Sequence, residues 1–197
     1  MRETIAAALV FLSRWDRSVP LFDPLCGSGT IAIEATMIGA NIAPGLLRRF
    51  DAEEWGWIDS TLWKKAWNEA RAKQCSIPFL IEASDRDEEV LTTANHNAKK
   101  AGVASLIHIR SSDIKNFGSN QKQGIVICNP PYGERLGDIK AAERLYKMMG
   151  ETFPKRARWS YFVLSPHPEF EKWFGRQSNK HRKIYNGKIK CFFHSFF

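Results

Sequence analysis

Short apolar runs alternate along this chain with segments of helical apolar spacing, and that alternation admits few folds. Arg2 to Leu12 is Ala-rich and helical, Val19 to Phe22 reads as a short strand, and Gly29 to Ile38 reads as a helix starting directly behind glycines. Further strands are expected at Phe79 to Ala83, Leu106 to Arg110, the wholly apolar Ile125 to Cys128, and Trp159 to Leu164. Helices are expected at Thr61 to Gln74, Glu88 to Ala101 (closed by Gly102), Ala141 to Phe153 and Glu169 to Phe174. Strands spaced by helices need right-handed crossovers, which place a parallel sheet between two helical layers. The end breaks the rhythm. Arg182 to Tyr185 and Lys188 to Phe193 flank Asn186-Gly187, a dipeptide preferred in two-residue type I′ turns, so the chain should finish in an antiparallel hairpin. Between Ala43 and Ser60, prolines, glycines and the aromatics Phe50, Trp55 and Trp57 predict an ordered excursion packed on the body.

A length of 197 residues with no repeat or linker is read as one domain, 1–197. Hydrophobic residues at 44% and charged residues at 25% exclude a disordered chain. No apolar run approaches a bilayer span, and Met1 to Val10 carries Arg2 and Glu3 without a cleavage-site pattern, so a cytoplasmic protein with no membrane contact is expected. Cys26, Cys75, Cys128 and Cys191 lack paired spacing and read as buried thiols in a reducing compartment. The net charge is +8, and residues 151–197 hold ten Lys/Arg against three Asp/Glu. A basic end beside a near-neutral body points to a polyanionic partner, nucleic acid being the usual one.

Four constellations carry chemistry. The first is Asp23-Pro24-Leu25-Cys26-Gly27-Ser28-Gly29-Thr30, where Gly27 and Gly29 permit positive φ and close approach of backbone to a ligand. The turn also fits a dinucleotide fingerprint. However, Asp23 would repel a pyrophosphate and attract an amino group, and the next strand-end acid, Asp85, follows Gly29 by 56 residues rather than about 20. The second is Ser84-Asp85-Arg86-Asp87: Asp85 is placed to accept from vicinal ribose hydroxyls, and Asp87 to cap the next helix. In the third, Ser111-Ser112-Asp113, the acid is placed to accept from an exocyclic amine such as adenine N6. Acids at three successive strand ends that suit an ammonium, a ribose and an adenine describe an adenosyl amino acid.

The fourth constellation, Asn129-Pro130-Pro131-Tyr132-Gly133, follows the apolar strand immediately. Consecutive prolines hold the backbone extended, so the Asn129 amide oxygen and the Pro130 carbonyl can aim together at a conjugated –NH₂ and free its lone pair for attack on a methyl. Tyr132 offers a ring face on which an extruded base could stack. His96, His108, His167, His181 and His194 have no ligand spacing with one another or with cysteine, so no metal site is expected. No G-x-S-x-G elbow and no Walker lysine are present, which removes the hydrolase and kinase readings.

On these residues the chain resembles the class I S-adenosylmethionine-dependent methyltransferases. More narrowly it resembles the catalytic domain of the THUMP-containing RNA guanine-N2 methyltransferases, the family of the bacterial 23S ribosomal RNA enzyme, whose relatives are often labelled adenine-specific DNA methylases. The resemblance runs through Arg2-Glu3-Thr4, Asp23 to Thr30, Asn41-Ile42-Ala43-Pro44-Gly45, Trp55, Ser84-Asp85, Asp113 and Asn129-Pro130-Pro131-Tyr132-Gly133-Glu134-Arg135-Leu136. It implies a Rossmann-like, mostly parallel seven-stranded sheet with an antiparallel C-terminal hairpin. It further implies methyl transfer from S-adenosylmethionine to guanine N2 in ribosomal RNA, leaving S-adenosylhomocysteine. Cofactor contacts would then come from Asp23, Pro24, Cys26, Gly27, Gly29, Thr30, Asp85, Asp113, Ile114 and Asn129, and the target amine would meet Asn129, Pro130, Pro131 and Tyr132. RNA phosphates would meet Arg135, Lys180, Arg182 and Lys183. Met1 falls where the family's N-terminal RNA-capturing region should already have joined, so that region is expected to be absent and the segment monomeric. The alternatives are adenine-N6 methylation of DNA or RNA, a noncatalytic RNA-binding or assembly module, and, weakest, an NAD oxidoreductase.

Overall fold

The computed structural model describes residues 1–133, 138–153 and 157–197. Among the described residues, seven strands form one sheet: β1 (Leu21–Asp23), β2 (Ile81–Asp85), β3 (Ile107–Ser111), β4 (Gly124–Cys128), β5 (Trp159–Ser165), β6 (Lys180–Asn186) and β7 (Ile189–Phe196). Their order is β3-β2-β1-β4-β5-β7-β6, with β1 to β5 parallel and β7 antiparallel to both of its neighbours. The strand order reverses between β1 and β4, and open α/β sheets leave a crevice beyond the strand ends at such a point. Val19 and Pro20, expected in the first strand, precede it: the Pro20 carbonyl takes the Ile125 N–H at 2.9 Å, and proline has no N–H to return.

Among the described residues there are six helices, α1 (Glu3–Leu12), α2 (Thr30–Gly39), α3 (Ser60–Ala72), α4 (Glu88–Lys100), α5 (Asp138–Thr152) and α6 (Phe170–Phe174), and all but α3 bury side chains against the sheet. One face is aliphatic. Leu9 of α1, Ile31 of α2 and Leu91 of α4 pack there with Leu21, Ile81 and Ile127 of the strands. The other face is aromatic, with Tyr146 of α5 and Phe170 and Phe174 of α6 packed on Trp159, Tyr161 and Phe196. Each fully buried Leu or Ile contributes about 1.5–3 kcal/mol, so the sheet is secured on both sides. Among the described residues, no helix is long and apolar enough to cross a membrane.

Three expectations need correction. The hairpin forms, but Asn186 pairs with Ile189, so the two turn residues are Gly187 and Lys188. Gly187 has φ +65° and Lys188 is not left-handed, which is the II′ pattern rather than I′. The excursion holds a short 3₁₀ turn at Asp51–Glu54, but Trp55 and Trp57 stack on each other at 5.3 Å and stay exposed, while Phe50 stacks on Trp63. None of residues 43–60 is fully buried, so the excursion is ordered but its aromatics are not packed into the body as expected. Finally, Cys75 is exposed, whereas Cys26, Cys128 and Cys191 are buried.

Candidate functional site

β1 ends on Asp23 and the chain turns at once into α2. Gly27 and Gly29 hold φ of +53° and +81°. A Cβ on Gly27 would stand in open space, so its backbone sense demands glycine; a Cβ on Gly29 would come within 3.2 Å of the Ala94 Cβ, so α4 presses directly on the turn. Three long-range bonds pin this loop. The Cys26 N–H donates to the Ser84 carbonyl at 2.9 Å, the Gly27 N–H to Asp85 Oδ2 at 3.0 Å, and Asn97 Nδ2 to the Ser28 carbonyl at 3.0 Å. Asp85 Oδ1 also accepts from the Asp87 N–H at 3.2 Å. Asp87 caps α4 as its sequence position implied, accepting from Glu89 and Val90. Asp113 accepts from the Lys115 N–H at 2.9 Å and starts the 3₁₀ turn Ile114–Asn116.

Asp23 lies beneath this turn and is 1% exposed. Its Oδ1 accepts from the Leu25 N–H at 3.4 Å, and its Oδ2 has no hydrogen-bond partner among the described residues. Burial drives the pKa up to about 8; the Leu25 bond pulls against that rise and the Asp85 charge adds to it. The carboxyl is therefore mostly neutral at pH 7 and has one oxygen to spare for a water or a cationic group.

Behind β4 the chain is held by side chains from distant segments. The Tyr132 hydroxyl donates to Asn129 Oδ1 at 2.5 Å and accepts from Asn186 Nδ2 at 3.1 Å. An amide nitrogen only donates, so the single tyrosine proton is committed to Asn129, and Oδ1 keeps a second acceptor position. Burial raises the Tyr132 pKa well above the phenol range, which keeps that proton in place. On the other side, the Tyr146 hydroxyl reaches the Pro131 carbonyl at 3.4 Å and Ser165 Oγ reaches Tyr146 Oη at 3.3 Å.

A cavity of about 810 Å³ opens between the two groups. Gly27, Asp85, Asp113 and Ile114 line one side, and Asn129, Pro131 and Gly133 the other. This is the volume of a small-molecule site. Leu25, Arg86, Asp87 and Val90 also line it, with Asp138, Ala141, Ala142, Arg144, Leu145 and Met148 of α5. Sequence reasoning missed the α5 residues, because the apolar stripe of that helix marks a buried face without telling which residues overhang a crevice. Asn97 and Asn186 were missed as well, the latter having been read only as a turn residue. Pro24, Cys26 and Gly29 are buried in the turn, and the Thr30 hydroxyl lies 3.2 Å from that of Ser28. Neither these four nor Asp23 lines the cavity. Pro130 is buried, and the Tyr132 ring rests on the aliphatic core outside the cavity wall.

The basic candidates are dispersed. Lys180, Arg182 and Lys183 are exposed on the edge strand β6, where side chains alternate between faces, so Lys183 points away from the other two. β6 ends at the crevice with Asn186, which leaves Lys180 roughly 20 Å below it at about 3.3 Å per residue. Arg135 lies outside the described residues.

Residues 1–195 match the family described as RMKL-like, methyltransferase domain. The chain is 45% identical over 197 residues to "Putative RNA methyltransferase YpsC" of Bacillus subtilis (strain 168), covering 100% of this chain and 51% of that protein. It is 34% identical over 197 residues to "Ribosomal RNA large subunit methyltransferase K/L" of Legionella pneumophila subsp. pneumophila (strain Philadelphia 1), covering 97% of this chain and 28% of that protein. The crystal structure of SMU.472, "a putative methyltransferase complexed with SAH", matches with a TM-score of 0.94 and 43% identity, over 99% of this chain and 52% of that one. The chain thus spans about half the length of the first of these relatives and less of the second. Matched over nearly all of its residues, it belongs to the RMKL-like methyltransferase-domain family.

Proposed function

We propose that this domain transfers a methyl group from S-adenosylmethionine to the exocyclic N2 amine of a guanine in RNA, ribosomal RNA of the large subunit being the substrate. One observation carries the reading: a single cavity is lined by strand-end carboxylates and the glycine turn on one side and by Asn129 and Pro131 on the other. The SAH complex of a structure 43% identical supports the cofactor, and the names of the two relatives support RNA.

The residues fit this cofactor. Asp85 faces the cavity with carboxylate lone pairs beyond those used by Gly27 and Asp87, enough to accept from two ribose hydroxyls. Asp113 and Ile114 would meet the adenine, one as acceptor and the other as apolar wall. Asp23, with its unpartnered oxygen, would draw the amino group toward the glycine turn. When bound, the cofactor supplies a methyl on a sulfonium, which departs as a neutral thioether. Asn129 Oδ1 accepts one hydrogen of the target amine through its remaining lone pair, with the Pro130 carbonyl as second acceptor. That arrangement favours a pyramidal nitrogen with its lone pair aimed at the methyl, so catalysis rests on orientation and directed hydrogen bonds. As the N–CH₃ bond forms, the nitrogen loses one proton to water. Tyr132 orients Asn129 through its hydroxyl, and the outer face of its ring is the stacking surface for the base.

The test is nucleoside analysis of ribosomal RNA from a strain lacking the full-length gene, and of that RNA after incubation with the purified full-length protein and tritiated cofactor. N2-methylguanosine should be missing from the first and labelled in the second. Label in N6-methyladenosine would instead establish the adenine reading. Failure to bind S-adenosylmethionine by calorimetry would favour a noncatalytic RNA-binding module.

A further inference from the structure

Glu171 of α6, His181 of β6 and His194 of β7 each turn one ligand-capable atom into a common space, and the three atoms lie within 4.8 Å of one another. None of these residues lines the cavity of the candidate site. His181 and His194 are directly opposed in the β6/β7 ladder, with ring centroids 5.7 Å apart. His194 is 6% exposed, and neither of its ring nitrogens has a hydrogen-bond partner among the described residues. Its nearest carboxylate oxygen, Glu171 Oε1, stands 3.6 Å from Nδ1, beyond ordinary hydrogen-bond length. Buried polar groups are rarely left without a partner, so an imidazole held this way calls for one.

We propose that Glu171, His181 and His194 form a binding site for a divalent transition ion of the zinc type, with water completing the coordination shell. Two imidazoles and a carboxylate are a donor set that such ions favour over calcium or magnesium. The 3.6 Å between Nδ1 and Oε1 is close to the separation of roughly 3.3–3.5 Å that bonds of about 2.0–2.2 Å impose on two ligands of a tetrahedral ion. His181 is exposed, so rotation of its side chain closes the wider gaps. The N–H and the hydroxyl of Ser178 both donate to this same Glu171 Oε1; the hydroxyl is a rotor that turns aside when Oε1 takes the ion, and the N–H bond then keeps the carboxylate oriented.

A bound ion would tie α6 to β6, an edge strand with a neighbour on one side only. Its role is a structural clamp, independent of which base the candidate site methylates.

The test uses chelator-stripped protein titrated with zinc chloride by calorimetry and with cobalt chloride by visible absorption. One equivalent should bind with micromolar or better affinity, give the intense absorption of tetrahedral cobalt, and raise the melting temperature. His181→Ala and Glu171→Gln should each weaken zinc binding at least tenfold, while His96→Ala, at an exposed helical position elsewhere, should leave it unchanged. Because His181 is exposed, its variant should fold even where a His194 variant would not. Absence of binding to the parent protein overturns the proposal, and so does equal binding by the parent and His181→Ala.

Discussion

The two walls of the cavity are built in different ways. The wall from β2 and β3 is made of strand-end carboxylates whose donors are backbone N–H groups: Asp85 accepts from Asp87 and, across 58 residues, from Gly27, and Asp113 accepts from Lys115. The wall from β4 is held by side-chain donors, as in the Asn129–Tyr132–Asn186 chain and the Tyr146 contact with Pro131. Backbone donors fix the groups proposed to bind the cofactor. Side-chain donors couple the proposed reacting end to the packing of α5 and the final hairpin. Binding and turnover should therefore separate cleanly between the two walls.

The most severe break is Asn129→Ala. Loss of the proposed acceptor for the reacting amine should lower methyl transfer about 10²–10³-fold, comparable to removal of one oxyanion-hole donor. The cofactor dissociation constant, measured by calorimetry, should move less than about threefold, within ordinary mutational noise. Full activity in that variant would remove Asn129 from the reaction. Asp85→Ala should do the reverse: losing charge-assisted bonds worth roughly 1.5–3 kcal/mol should weaken cofactor binding about 10–100-fold. It should also loosen the Gly27 turn, which would appear as faster amide exchange at Gly27.

Asp23 sharpens the comparison through pH. Its folded pKa of about 8 lies above the ordinary 3.8, so between those values the folded chain keeps a proton that the unfolded chain has lost. Stability should therefore fall as pH rises from about 4 to 8, by at most ~1.4 kcal/mol per unit from this group, and Asp23→Asn should flatten that slope in thermal melts. In the role proposed for Asp23, binding of a cationic cofactor needs the carboxylate. Affinity should rise with pH up to about 8, with proton release detected by comparing calorimetric heats in two buffers. The smallest effect is expected from Asn186→Ala, which removes one neutral hydrogen bond of about 1 kcal/mol from Tyr132. Turnover should drop about fivefold, as that energy implies, at unchanged cofactor affinity. A matching loss of affinity would mean that the walls are not independent.

Short-range pattern set what could be read without coordinates. Asp23, Gly27, Asp85 and Asp113 announce themselves because each sits where a strand pattern stops, and the backbone geometry there depends on neighbours close in sequence. Asn129 and the prolines follow the most apolar strand and are legible for the same reason. Asn97 sits in the interior of a helix whose pattern gives no hint that its amide reaches across 69 residues to the Ser28 carbonyl. The aromatic excursion misled in the opposite sense. Trp55 and Trp57 carry enough apolar surface to predict burial, yet they stack on each other in the open, because composition does not say whether a surface lies within reach.

The sequence alone determined the alternating architecture, the glycine turn, the acids at the strand ends and the closing hairpin, since backbone preference and apolar period act over a few residues at a time. Only the tertiary structure decided that Gly187-Lys188 forms the turn, which leaves Asn186 on the strand facing Tyr132, and that Leu145 and Met148 wall the cavity. It also decided that His181 meets His194 beside Glu171. Each of these depends on strand order and on a register in which a shift of one residue sends every side chain to the opposite face. That choice is made by the packing of the whole sheet against its two helical layers, and no local stretch of chain contains it.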